Sequence, residues 1–440
     1  MNVPLFRSEE AATLVAEVTG SVLLPGDAAY EAETAAFNMT VAHRPAVVIA
    51  AATAADVRVA VRFAAAHGLP AAVLSTGHQP LTPADGAVLI TMREMNTVTV
   101  DPAARVARVE AGARWGDVVA AAVPHGLAPL NGSTPVVGVA GYVLGGGHSP
   151  MLGRTYGWAA DHVHALDLVT PDGRLRRVTA ETEPDLFWAV RGGKSNFGAV
   201  TALEFALFPV ASTYAGGLFF DGEHTAAVVH AWRRTTIDAP DELNTSLALL
   251  RLPALPSVPE PLRGRLVVHV RVSHAGDAAE GARLLAPLRA AAPVIMDTVE
   301  VLPYARYAEV HQDPTEPMAY DERSTLLTEL TAEAVEVIVR HAGPASGFAG
   351  MFLELRHLGG ALAREPEQPN AVCARDALYT LVGAAVGAPE QTRAPIAQLD
   401  ALITDLDKWQ TGHKFLNFMT AADETEEAYT PETYARLRAI

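Results

Sequence analysis

The stretch from Ala46 to His78 constrains the fold more than any other part of the chain. Residues 46–51, Ala-Val-Val-Ile-Ala-Ala, are a short continuous apolar run of the kind a buried strand carries. Thr53 with Asp56 three positions on is a capping-box signature, opening a helical pattern with Val57, Val61 and Ala64 on one face. Gly68-Leu69-Pro70 ends that pattern. A second apolar run, Pro70-Ala71-Ala72-Val73-Leu74, reads as a buried strand leading into Ser75-Thr76-Gly77-His78-Gln79. Strand, helix and strand in this order make a βαβ unit. A strand entering a Gly-His loop is a common place for a site. On these residues alone, His78 is either functional or a histidine satisfying hydrogen bonds at a strand end.

Further along, residues 86–92 give another strand, and 97–100 with 106–109 read as a hairpin around Asp101-Pro102. Trp115-Gly116-Asp117 opens a helix ending near Pro124-His125-Gly126. From Asn131 to Gly157 the chain is rich in glycine, which lets a backbone lie close to a ligand and aim N–H groups at phosphate oxygens. The passage is neither Gly-x-Gly-x-x-Gly nor a P-loop. Residues 165–170 and the strand through Val178 flank the turn Pro171-Asp172-Gly173. A helix follows over 185–190, and a loop from Arg191 leads into the strand 202–208. His162 and His164 alternate on a strand reading. Beyond residue 211, strand-like pieces at 265–272 and 347–358 alternate with helical stretches near 224–236, 276–291, 324–341 and 389–408. That texture predicts an α+β unit with an antiparallel sheet.

The net charge of −17 over 440 residues and the absence of a Lys/Arg cluster exclude nucleic acid as a partner. No apolar stretch is long and uninterrupted enough for a membrane span, and the first ten residues carry no export signal, so a cytoplasmic enzyme is expected. Cys373 is the only cysteine, which excludes an internal disulfide, a cysteine-rich zinc site and an iron–sulfur cluster, and it reads as an inert buried side chain. The histidines lack metal-ligand spacing, and no metal site is expected.

Six blocks then occur in order: Arg44-Pro45; Gly77-His78; Glu110-Ala111-Gly112-Ala113-Arg114-Trp115-Gly116-Asp117; Gly138-Val139-Ala140-Gly141 with Gly145-Gly146-Gly147; Leu186-Phe187-Trp188-Ala189-Val190-Arg191-Gly192-Gly193; and Asn196-Phe197-Gly198-Ala199-Val200-Thr201. Together they resemble the FAD-binding domain of the vanillyl-alcohol oxidase (PCMH-type) superfamily, most closely its berberine-bridge-enzyme-like branch. The match covers roughly residues 40–210 and extends more loosely through residues 354–361 and 414–418. The resemblance implies an FAD-binding domain over 1–210, a substrate domain with an antiparallel sheet and flanking helices over 211–410, and a return to the first domain over 411–440. It implies a covalent 8α-histidyl bond from His78 to FAD, with backbone groups of Ser75, Thr76, Gly77 and Gln79 at the pyrophosphate. It also assigns Gly138, Gly141, Gly145, Asp161, Val200 and Asn417 to the cofactor site.

The chain departs from the branch pattern at informative places. Thr134 stands where many members attach the flavin a second time through cysteine, so attachment is expected through one residue only. Val137 occupies the gatekeeper position, and a small side chain there resembles oxygen-reactive members. Where alcohol-oxidising members place tyrosines, this chain has His148 after Gly147 and Phe418 in Phe415-Leu416-Asn417-Phe418, which lines the pocket but accepts no proton. His148 is therefore a candidate base, or a residue that only bonds the glycine loop. Glu354 and Arg356 share one face of an extended strand and form either a catalytic pair or a structural ion pair. The expected activity is two-electron oxidation of a small molecule with O2 as acceptor. An apolar second half and only 6% aromatic residues favour a hydrophobic specialised metabolite over a sugar. The alternatives are a sugar oxidase, or a flavoprotein that binds, sequesters or cyclises a metabolite without net oxidation. The assembly is left open, a homodimer included.

Overall fold

The structure, a computed structural model, describes residues 8–440, with side chains from residue 12 onward. Among the described residues the strands form three sheets. The first contains β1 (Ser21–Leu23), β2 (Val47–Ala50), β3 (Ala71–Leu74) and β4 (Val88–Thr91) in the order β1-β2-β4-β3. β4 pairs in parallel with both β2 and β3, as the βαβ reading requires. The crossover helix Ala54–His67 begins at Thr53, whose side chain accepts from Asp56 N–H, and ends at left-handed Gly68. Asp56 is fully buried, and its carboxylate accepts N–H bonds from Thr19, Gly20, Ala52 and Thr53 at 2.8–3.2 Å. One side chain thus caps the helix and pins the β1 turn against it.

The second sheet is antiparallel, with β5 (Val98–Asp101), β6 (Val106–Glu110), β7 (Val163–Val169), β8 (Leu175–Val178) and β9 (Ala199–Ala206) ordered β5-β6-β9-β7-β8. Ile49 and Ile90 of the first sheet share one buried cluster with Val109, Leu166 and Leu203 of the second, closed by Val57 and Val61 of the crossover helix. Each such side chain contributes about 1.5–3 kcal/mol on burial.

The third sheet is antiparallel and comprises β10 (Ser212–Asp221), β11 (Leu243–Arg251), β12 (Leu266–His274), β13 (Val294–Asp297), β14 (Glu300–Pro303), β15 (Tyr320–Leu327), β16 (Phe352–His357) and β17 (Tyr379–Val386). Alternation along its strands separates two faces. Leu218, Val270, Leu247, Leu355 and Leu381 face the helices Thr225–Ile237, Ala278–Arg289, Ala332–Ala342 and Pro389–Asp405 and form their core. The opposite face carries His269, Arg271, Glu354 and Arg356 and lines a cavity against the first half of the chain.

Several expectations are corrected. β3 is an edge strand whose Ala72, Val73 and Leu74 border the cavity, so it is not buried. The glycine-rich passage contains the helix Val139–Leu144, and His162 closes a short 3-10 turn where a strand was expected. Residues 324–327 belong to β15, and the helix begins only after Thr331, which caps it. Cys373 is only partly buried. No helix among the described residues is long and apolar enough to cross a membrane.

The C-terminal segment lies against the first half. Asn417 Nδ2 donates to the Tyr142 carbonyl and its Oδ1 accepts from Gly147 N–H; the Tyr429 hydroxyl donates to the Gly192 carbonyl.

Candidate active site at the sheet–loop cavity

The loop after β3 turns at Gly77, φ +69°, where an added Cβ would fall 2.6 Å from that of Ala36. The turn aims His78 into the cavity, and Phe37 stacks on its ring at 3.9 Å. His78 Nδ1 lies 2.9 Å from Thr76 Oγ1, which also accepts the Gly138 N–H, while Nε2 is buried with no partner. Burial and the nearby Arg114 push the imidazole down to about 4, so it is neutral at physiological pH. Tyr320 of β15 donates its hydroxyl to the His78 carbonyl at 2.6 Å, tying the third sheet to this loop.

The cavity measures about 760 Å³, room for a large ligand. Lys194, held at φ +55°, projects its ammonium into the wall, donating to Gln79 Oε1 at 2.6 Å. It has no acidic partner among the described residues, and burial pushes it down to about 8. A buried cation without a counter-ion beside a loop of open N–H groups fits an anionic ligand such as a dinucleotide diphosphate. The orphaned His78 Nε2 fits a group bonded there.

On the opposite wall, Glu354 of β16 is clamped. Arg271 of β12 donates Nη1 to its Oε1 at 2.7 Å, and Arg356 donates Nε and Nη2 to its Oε2 at 3.0 and 2.9 Å. Burial opposes ionisation, yet the two guanidiniums prevail and hold the carboxyl far below its usual range. His311 stands 3.7 Å from the same carboxylate and stays neutral through burial. Arg356 also lies over the Phe418 ring, 5.2 Å from its centroid. His148 is buried with Nδ1 unpartnered, and burial with the Arg356 charge pushes it down to about 3.

The cavity brings together Ser75, Thr76, Gly77, His78 and Gln79 with Thr134, Val137, Gly138, Gly141, His148, Glu354, Arg356, Asn417 and Phe418, drawn from positions far apart in sequence. Gly145, Asp161 and Val200 do not line it. Gly145 leaves room for Asn417, whose amide would sit 2.7 Å from an added Cβ. The Asp161 carboxylate is spent on Arg375, Asn370 and the Trp158 N–H. Val200 is buried within β9. Sequence reasoning missed Arg271, His311, Lys194, Glu322 and Tyr142, the last with a buried, unpartnered hydroxyl in the cavity wall. Tyr142 and Lys194 directly follow the glycine blocks, which could have drawn attention to them; Arg271 and Glu322 on strands and His311 at a helix end carry no such signal, and only the tertiary packing brings them to the cavity.

Residues 45–179 match the family model for an FAD binding domain. The (R)-6-hydroxynicotine oxidase of Paenarthrobacter nicotinovorans is 30% identical over 439 residues, covering 96% of this chain and 93% of that protein. The xylooligosaccharide oxidase of Thermothelomyces thermophilus is 33% identical over 184 residues, 41% of this chain and 37% of that protein. The fold matches the berberine-bridge-enzyme-like protein 1 of Physcomitrella patens with a TM-score of 0.84 over 98% of this chain and 95% of that one, at 19% identity. A relative spanning nearly the whole chain, with a family model over residues 45–179, agrees with the cavity's geometry: the chain belongs to the berberine-bridge-enzyme-like FAD-linked oxidoreductases of the PCMH-type FAD-binding superfamily.

Proposed function

We propose that the protein is an oxidase holding FAD through a single covalent bond to His78, and that it removes two electrons from a hydrophobic small molecule. The observation that carries this reading is the buried, unpartnered Nε2 of a neutral His78 facing the cavity. The tautomer in which Nδ1–H donates to Thr76 Oγ1 leaves the Nε2 lone pair free, so Nε2 is the atom we assign to the bond. Ser75, Thr76, Gly77, Gln79, Gly138 and Gly141 would cradle the cofactor, with Lys194 balancing phosphate charge. FAD, when bound, supplies the two-electron acceptor and the route to O2.

The remaining residues orient the substrate. Glu354, already clamped by two guanidiniums, is a weak proton acceptor; its role is to hold Arg356 against Phe418 at the cavity wall. His148, neutral and enclosed, offers a hydrogen bond and is a poor base near pH 7. Leu250, Leu252, Met351 and Phe352 make much of the substrate side apolar and support a hydrophobic substrate over a sugar.

Acid precipitation tests the tether: flavin should stay with the protein pellet in the native enzyme and pass to the supernatant in His78→Ala. For activity, the purified protein is mixed with hydrophobic amines, alcohols and oligosaccharides while flavin absorbance and peroxide are followed. Bleaching with peroxide formation supports the oxidase; a flavin that stays oxidised with every compound while binding one supports the non-oxidising alternative.

A further inference from the structure

Glu322 stands on β15 in a row that crosses four strands, Glu322 opposite Ala384, Ala384 opposite Phe352 and Phe352 opposite Leu250. All four line the cavity on the same sheet face as Glu354 and Arg356. Unlike Glu354, its carboxylate has neither a hydrogen bond nor an ion pair among the described residues. Its surroundings are largely apolar: β17 contributes Ala384 and Val386, β16 Phe352, and the preceding loop Met318. Adjacent Asp321 points to the other face, where it accepts from Thr392 Oγ1. The charged and titratable groups lining the same cavity are Arg251, His269, Arg271, Tyr320, Glu354 and Arg356 from the sheet, His311 at the end of the helix Ala308–His311 with Asp313 just after it, and His43, His78, Tyr142, His148 and Lys194 from the first half. Burial pushes the Glu322 carboxyl up to about 7, with Arg356 acting against that shift.

A carboxylate in an apolar wall is costly to ionise unless a cation arrives to pair with it. The guanidiniums of Arg271 and Arg356 are already engaged by Glu354, and among the described residues no cation forms an ion pair with Glu322. We propose that Glu322 is a specificity-determining residue that selects hydrophobic substrates carrying a positively charged nitrogen, the substrate's ammonium being its missing counter-ion. The proposal rests on the reading of this cavity as the substrate site and narrows that substrate to a class, a hydrophobic amine. The apolar rows around Glu322 take the hydrocarbon part, and the carboxylate fixes where the nitrogen lies.

The test uses flavin-loaded protein and two probes of similar shape, tryptamine, a cation, and tryptophol, its neutral hydroxyl counterpart, with binding measured by equilibrium dialysis. Tryptamine should bind at least ten times more tightly than tryptophol at pH 8. Its affinity should fall about tenfold between pH 8 and pH 6 as a carboxyl titrating near 7 takes up its proton. Glu322→Gln should abolish both the preference and the pH dependence while leaving tryptophol affinity within twofold, and Glu322→Asp should keep the preference. Equal affinity for the two probes, no binding of tryptamine, or a preference that survives in Glu322→Gln overturns the proposal. Flavin retention on acid precipitation does not involve Glu322, so failure here is distinguishable from failure of the covalent-flavin reading.

Discussion

Thr76 shows how much rests on one hydroxyl. It receives the Gly138 N–H and holds Nδ1 of His78, so it sets which imidazole nitrogen is free. Thr76→Val keeps the shape and removes that hold, and should slow flavin attachment by roughly tenfold, the loss expected when one orienting hydrogen bond disappears. In-gel flavin fluorescence of denatured protein against time reads this directly; an unchanged rate would separate Thr76 from the tether. His78 itself was legible as a candidate because a strand, a glycine and a histidine stand in line. Its neutrality was not, since that comes from Phe37 packed on the ring and Arg114 brought near by another loop. Glu322 lay beyond sequence reasoning for the same reason: nothing in Tyr320-Asp321-Glu322-Arg323 says which carboxylate meets Thr392 and which meets an empty wall.

Elements with local signals were read well, and those defined by partners were not. The capping box at Thr53 and Asp56 was visible and is formed, and Thr53→Ala should cost about 1 kcal/mol in urea unfolding. By contrast, β15 continues apolar through Leu326-Leu327 toward the helix Ala332–Ala342, and on one sequence the periodicity of the two runs together. β10, β11 and β17 were missed because one face of each meets helices and the other meets the cavity, which blurs a two-residue alternation. The junction of β12 with β16 is where pairing creates chemistry, since Arg271 and Glu354 are 83 residues apart and meet at 2.7 Å. Glu354→Gln leaves two buried guanidiniums without their anion and should destabilise the protein by about 3–5 kcal/mol, as breaking one side of a buried ion pair does. Denaturant unfolding followed by tryptophan fluorescence measures it, and a loss below 1 kcal/mol would show that solvent in the cavity screens the pair.

At the scale of the molecule, eight histidines, 43, 78, 148, 164, 269, 274, 311 and 357, titrate below the ordinary 6.5 because burial disfavours their charged form. The unfolded chain therefore binds more protons than the folded one as pH falls below 6.5, and their contribution to stability is lost on acidification. Glu322 works the other way. Its folded value of about 7 exceeds the ordinary 4.5, so its contribution is present at low pH and is lost as pH rises from 4.5 to 7. With eight groups against one, the melting temperature should fall from pH 7 to pH 5, and Glu322→Gln should raise it at pH 8 more than at pH 5; calorimetry across that range decides both. The sequence by itself determined the βαβ unit, the glycine-rich cofactor segments and the family they resemble, because capping, apolar periodicity and turn chemistry act over a few residues. Only the tertiary structure decided which carboxylate is clamped and which is open, and which imidazole nitrogen is free, because those properties depend on low-dielectric burial and on charges from strands far apart in the chain.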